Sequence, residues 1–120
     1  MMIKNNAEKS KYSNVWAVAE VLSGRIQPVT NELIGAARLL ADKRSSQVYA
    51  VVIGSGVSEQ AGSLFAFGAD KVIVVDDKRL SGFTDETEAR VMRRLIEKYR
   101  PEIVICAATA RGRALIPRVS

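Results

Sequence analysis

Apolar positions along this chain fall into two rhythms that take turns. Unbroken runs stand at 15–21, 48–53, 71–75 and 103–108, the first interrupted only by Glu20 near its end and the third opened by Lys71. Short, continuous runs rich in valine and isoleucine read as strands buried on both faces of a parallel sheet. Between them apolar residues return every three or four positions, which predicts helices lying on that sheet. The last run, Ile103-Val104-Ile105-Cys106-Ala107-Ala108, enters from Arg100-Pro101 and is expected near the middle of the sheet.

Local signals punctuate the pattern. Ser23-Gly24-Arg25 predicts a tight turn with Ile26-Gln27 as a brief extended return, and Pro28 stops the strand. Thr30 is then a candidate N-cap for a helix whose buried stripe is Leu33, Ala36, Ala37, Leu40 and Ala41. Ser58 is a candidate cap for a short helix with stripe Ala61, Leu64 and Phe65, closed by Gly68 in the left-handed conformation. Thr84 caps the third helix, Asp85 and Glu86 suit its positive end, and Ala89, Met92, Leu95, Ile96 and Tyr99 form its inner face. After the last strand Pro117 forbids a full helical turn before it, so a fourth helix starts late, near Arg113 or Ala114.

Alternating strands and helices define an α/β chain: a three-layer parallel sheet with helices on both faces and right-handed crossovers. The pattern leaves the strand order open. With order 3-2-1-4 the winding reverses between the first and fourth strands, and a crevice opens between Glu20 and the loop Thr109-Ala110-Arg111-Gly112-Arg113. Residues 1–14 are polar and rich in lysine and asparagine, which predicts a flexible tail ahead of a domain over 15–120. That domain stops at Ser120 barely two turns into a helical pattern, as expected of a piece of a longer chain.

Composition narrows the chemistry. No histidine is present, which removes histidine triads and most catalytic zinc sites. The single cysteine, Cys106, excludes an internal disulfide and lies in an apolar run, where an inert core residue is the plain reading. A net charge of +5 raises nucleic acid as a partner, but the lysines and arginines are scattered and aromatics few, so no nucleic-acid role is expected. No apolar run reaches membrane-spanning length, the tail lacks a secretory or transit pattern, and a cytoplasmic location without membrane insertion follows as the expectation.

Three places bear on chemistry. In the loop 109–113 two arginines, one glycine and free amides face the start of a helix, which suits an anion or a protein partner. Under the 3-2-1-4 order Glu20 either neutralises Arg111 or Arg113 or takes part in a ligand site. Gly54-Ser55-Gly56 evokes a dinucleotide turn, yet Glu59 stands where the third glycine of that fingerprint belongs, and a sharp strand-to-helix turn is the simpler account. Asp76-Asp77 follows the third strand, where ligands often bind, but adjacent carboxylates point apart and a solvated turn bonding its own backbone explains them.

The segments Trp16-Ala17-Val18-Ala19-Glu20, Pro28-Val29-Thr30-Asn31-Glu32-Leu33-Ile34-Gly35-Ala36-Ala37-Arg38, Gly68-Ala69-Asp70-Lys71-Val72 and Ala108-Thr109-Ala110-Arg111-Gly112-Arg113 with Pro117-Arg118-Val119 together resemble the amino-terminal domain of electron transfer flavoprotein alpha subunits. The resemblance runs from about Val15 to Ser120. It implies an adenine-nucleotide alpha-hydrolase-like fold with strand order 3-2-1-4. It implies a heterodimer with a beta subunit that carries electrons between flavoprotein dehydrogenases and further acceptors. It implies FAD held chiefly in a carboxyl-terminal domain that this chain lacks, and AMP or a second FAD held mainly by the beta subunit. The chain itself is then an electron-carrier scaffold with no catalytic residues of its own, not expected to bind FAD tightly. Thr109, Arg111, Gly112 and Arg113 match the family's loop and are expected to contact the beta subunit or the phosphates of a nucleotide, unless the arginines simply hold Glu20 or a helix end. The short tail and lone cysteine exclude the ferredoxin-like extension of some members.

Two other classes share the architecture. A free-standing adenine-nucleotide-binding protein of the universal-stress type calls for spaced glycines after the fourth strand, where only Gly112 stands. An ATP-pyrophosphatase-type enzyme needs a serine- and glycine-rich phosphate loop after the first strand, where Ser23-Gly24 is a mere turn. Without its partner and second domain the chain is expected to expose apolar surface and self-associate.

Overall fold

The computed structural model describes residues 12–80 and 85–107. Its core is a four-stranded parallel sheet of β1 (Val15–Val18), β4 (Val48–Gly54), β5 (Lys71–Asp76) and β6 (Ile103–Ile105), ordered β5-β4-β1-β6. Numbered by the apolar runs, that is the 3-2-1-4 order, the arrangement expected of the adenine-nucleotide alpha-hydrolase-like architecture; the last run, expected near the middle, is an edge strand among the described residues, paired with β1. A two-stranded antiparallel hairpin, β2 (Val21–Leu22) with β3 (Arg25–Ile26), interrupts the path from β1 to α1 (Val29–Lys43). After β4 comes α2 (Ser58–Ala61), which tightens into a 3-10 turn over Gly62–Phe67; α3 (Asp85–Tyr99) leads into β6.

Every residue of β1 is buried because its two neighbours and the helices on both faces close it off. One face carries α1 and α2, where Val15, Ala17, Ala50 and Val52 meet Leu33, Ile34, Ala37 and Leu64. The other carries α3, whose Val91, Met92, Leu95 and Ile96 pack on Trp16, Val18, Val51 and Val104. Trp16 is 1% exposed and meets the edge of Tyr99, ring centroids 6.4 Å apart at 63°. Such a T-shaped pair adds to area burial because the electropositive ring edge faces an electron-rich ring.

The packing corrects the sequence expectations in places. The first strand leaves the sheet after Val18: the Ala19 amide still donates to the Val51 carbonyl at 2.8 Å, but the Glu20 amide turns to the Thr30 hydroxyl at 3.1 Å. Thr30 is therefore no N-cap; it lies fully buried in the first turn of α1, behind Pro28 at the cap position. In α1 Leu33, Ala37 and Ala41 are buried as expected and Leu40 packs against them, but Ile34 takes the inner place given to Ala36, which is exposed. Phe65 is 53% exposed. An α-helix turns about 100° per residue and a 3-10 helix about 120°, so tightening from Gly62 keeps Leu64 beneath Ala61 and swings Phe65 outward. On α3 Ala89 faces solvent and Val91 takes its place, while Tyr99 ends the helix half-covered by Trp16. Gly68 does close the second helical segment with φ 116°. The caps assigned to Thr84 and the final helix around Arg113 lie outside the described residues.

The amino ends of the strands are fastened by side chains. The Arg38 guanidinium donates to Asp70 at 2.8 Å, to Asp42 at 3.0 Å and to the Gly68 carbonyl at 3.1 Å, while Asp70 also accepts from the Val48 amide at 2.8 Å. Asn14, at φ 78°, accepts the Gln47 amide on its side chain and the Glu102 amide on its carbonyl. Arg44 makes a two-pronged pair with Glu102 at 2.8 and 3.0 Å.

Candidate functional site

Strand carboxyl ends are where parallel α/β sheets bind ligands, because the loops there splay apart and helix amino termini point inward. In this chain much of that edge is occupied by its own residues. At the end of β4 the Gly54-Ser55-Gly56 turn leads to α2, and the carboxylate of Asp76, arriving from β5, fills the hollow beneath it. One oxygen accepts the Gly56 amide at 2.8 Å; the other accepts the Ser58 amide at 2.9 Å and the Ser58 hydroxyl at 2.6 Å. A carboxylate so placed does what a bound phosphate does in a dinucleotide turn: it satisfies amides that the helix start leaves unpaired. The Ser58 hydroxyl, followed by the two amides, holds the Asp76 carboxyl below its usual range. Ser58 therefore caps nothing itself; Val57 occupies the cap position and Asp76 supplies the acceptor.

Asp77 behaves differently although it is adjacent. Its carboxylate accepts the Arg79 guanidinium at 2.8 Å and the Arg79 amide at 2.9 Å, which brings its pKa down to about 2. The two aspartates thus point apart: Asp77 bonds its own turn as the solvated-turn reading expects, whereas Asp76, the last residue of β5, bonds a distant turn at Gly56 and Ser58. Among the described residues there is no group of three or more His, Cys, Asp or Glu arranged to hold a metal.

The hairpin β2–β3 closes the edge on the other side of the turn. The Gln60 side chain accepts from the Ile26 amide at 2.9 Å and donates to the Gly24 carbonyl at 2.6 Å and the Gly56 carbonyl at 3.3 Å. Gly24, at φ 75°, lies so close to the loop that a Cβ there would stand 3.1 Å from the Ser55 carbonyl oxygen. A Cβ on Gly54 would meet Val57 at 3.1 Å and Val21 at 3.3 Å. Both glycines answer to close approach, Gly24 of the hairpin to the turn and Gly54 of the turn to Val57 and the hairpin's Val21. Nothing in the sequence marks Gln60 as the clasp; glutamine on a polar helix face is ordinarily a solvated residue.

Glu20 anchors the base of the hairpin through its backbone: its carbonyl accepts the Gln27 amide at 2.8 Å and its amide donates to Thr30. Its carboxylate is half-buried and makes no hydrogen bond or ion pair among the described residues. The loop residues Thr109, Arg111, Gly112 and Arg113, assigned to nucleotide or partner contact, lie outside the described residues. Cys106 is half-buried, at the end of β6. Among the described residues no helix is long and apolar enough to cross a membrane.

In this parallel α/β domain the described part of the strand carboxyl edge is closed largely by the chain's own residues. The chain belongs to the electron transfer flavoprotein domain family, which matches residues 15–120. It is similar to the electron transfer flavoprotein subunit alpha of Thermoanaerobacterium thermosaccharolyticum, 41% identical over 109 residues that make up 91% of this chain and 33% of that protein. It is 41% identical over 113 residues to the subunit LctC of the lactate dehydrogenase (NAD(+),ferredoxin) of Acetobacterium woodii, covering 94% of this chain and 27% of that one. The acryloyl-CoA reductase electron transfer subunit beta of Anaerotignum propionicum is 35% identical over 117 residues, 98% of this chain and 32% of its own length. The chain thus spans about a third of the curated relatives it matches.

Flavin is the cofactor this family implies, and the described residues do not fit it. Among the described residues, the amides of the Gly54-Ser55-Gly56 turn carry Asp76, and the hairpin packs against that turn through Gly24 and Gln60.

Proposed function

We propose that this chain is the scaffold and interface domain of an electron transfer flavoprotein alpha subunit, and that it pairs with a beta subunit in a heterodimer carrying electrons between flavoprotein dehydrogenases and further acceptors. Family membership supports the electron-transfer role, and the glycine turn after β4, whose amides are taken by Asp76 and whose flank is held by the Gln60-clasped hairpin, is consistent with a domain that leaves cofactor binding to other polypeptide. In this reading FAD rests on polypeptide beyond this domain and AMP or a second FAD on the beta subunit, so the domain carries electrons only as part of the cytoplasmic complex and performs no catalysis itself. Thr109, Arg111, Gly112 and Arg113, with Glu20, are the contacts we assign to the beta subunit or to nucleotide phosphates at its boundary.

Two measurements test this. Co-expressed with an electron transfer flavoprotein beta subunit, the chain is expected to co-purify with it, and Arg111→Ala with Arg113→Ala to weaken that association. Titration of the chain alone with AMP or ATP is expected to give no heat in the micromolar range; micromolar binding would favour a free-standing nucleotide-binding protein instead.

A further inference from the structure

We infer that a second copy of this chain pairs antiparallel with the outer edge of β5, joining two molecules through one continuous sheet about a two-fold axis at Val74. β5 is an outermost strand; it pairs in unbroken register with β4 on its inner side, and no strand meets its outer side among the described residues. An edge left this way carries a row of amides and carbonyls ready to pair with another chain, and folded proteins commonly blunt it by shortness, a proline, a bulge or a charge in mid-strand. β6, the other outer strand, is three residues long and buried. β5 has no such device: Val72-Ile73-Val74-Val75 runs without charge, proline or glycine, and none of the four is fully buried.

Charge and symmetry choose the occupant. In a two-fold antiparallel pair one residue stands opposite its own copy, and the residues on either side pair outward from it. With Val74 on the axis, Ile73 stands opposite Val75 of the second copy, Lys71 opposite Asp77 and Asp70 opposite Lys78, so both flanks bring opposite charges together. An axis at Ile73 sets Asp70 against Asp76, and one at Val75 sets Lys71 against Arg79, like against like. Asp77 also accepts the Arg79 guanidinium, and a carboxylate has acceptor sites for both. Asp76 falls opposite Val72, its carboxylate turned aside to Gly56 and Ser58. Apolar surface lies beside the axis: Val74 is 38% exposed, and Phe65 and Phe67 are exposed on the 3-10 turn that contacts β5. A strand of unrelated sequence would not meet these charges in register.

The test uses the 120-residue chain, and its outcome does not depend on the electron-carrier reading above. Sedimentation equilibrium is expected to show a mass that rises with concentration to a plateau at twice 13.1 kDa, because a two-fold pair closes. V74K, which sets two lysines together on the axis, should weaken dimerisation about tenfold or more, and K71E about fivefold. L39S, altering an exposed leucine on α1, should leave it within about twofold. Oxidation reads the register: V74C should cross-link into a disulfide dimer, since directly opposed residues stand about 5 Å apart. V72C, whose two copies would stand about 13 Å apart along the strands, should not, and it controls for Cys106. Circular dichroism verifies that each variant is folded; should V74K unfold, K71E and the cysteine pair carry the same test. A monomer mass at every concentration, a mass that climbs past two copies, dimerisation lost in L39S but kept in V74K, or equal cross-linking of V72C overturns the inference.

Discussion

At the scale of single residues, the carboxyl edge shows how a polar side chain can close a site. Asp76 in the sequence is one of two adjacent acids at a strand end, and nothing in its spacing shows that it reaches back eighteen positions to Ser58. That contact depends on β4 and β5 pairing in a register that sets Gly54 opposite Asp76, which only the assembled sheet provides. Asp70, held low by the Val48 amide and by Arg38, and Asp77, held near 2 by Arg79, complete a set of three carboxylates that release protons more readily folded than unfolded. Each stabilises the fold above the ordinary carboxylate value of 3.8, and that stability is lost as pH falls through the folded values. Urea midpoints should therefore be steady from pH 7 to about 5 and drop steeply below 4, less so in Asp76→Asn, whose amide does not titrate. A midpoint that rises on acidification would contradict this. Thr30 makes a sharper case, being fully buried with its hydroxyl as acceptor for the Glu20 amide. Thr30→Val keeps the shape and orphans that amide, and should cost about 1–3 kcal/mol in denaturant unfolding.

At the scale of elements, the strands were legible because buried parallel strands leave continuous valine and isoleucine runs that few other elements produce. Helix faces were legible only in part. A stripe of apolar residues fixes a helix face to within about one residue, and whether Ile34 or Ala36 turns inward depends on where the sheet lies. Tightening from Gly62 defeats an α-helical stripe altogether, which is why Phe65 was expected inside. The hairpin was read correctly as a turn and a return, from Ser23-Gly24, whose φ values of 51° and 75° suit a turn that follows strand twist. Its attachment through Gln60 carried no signal. Gln60→Ala should release the hairpin while sparing the sheet: hydrogen exchange at the Ile26 amide should quicken markedly, Val51 and Val52 amides should stay protected, and global stability should fall by about 0.5–1.5 kcal/mol. Unchanged exchange at Ile26 would show that the clasp holds nothing.

At the scale of the whole molecule, the order β5-β4-β1-β6 follows from physics only up to handedness; alternating patterns imply right-handed crossovers, but the reversal at β1 came from family resemblance. The loop at 109–113, singled out from the sequence by its two arginines and one glycine, lies outside the described residues. Leu22, Leu39, Phe65, Phe67, Val74 and Tyr99 are large apolar residues left well exposed on a chain a third the length of its relatives. Self-association is accordingly expected, and light scattering should show a mass above the 13.1 kDa monomer that grows with concentration; a constant monomer mass would contradict it. The claim on which the account turns is that this domain supplies surface while flavin chemistry is held elsewhere. Size-exclusion chromatography of the chain with and without an electron transfer flavoprotein beta subunit, with absorbance followed at flavin wavelengths, tests it most directly. The account predicts a colourless peak for the chain alone and a shift into a shared peak when the beta subunit is added; a yellow peak from the chain alone, or two peaks that never merge, would contradict it.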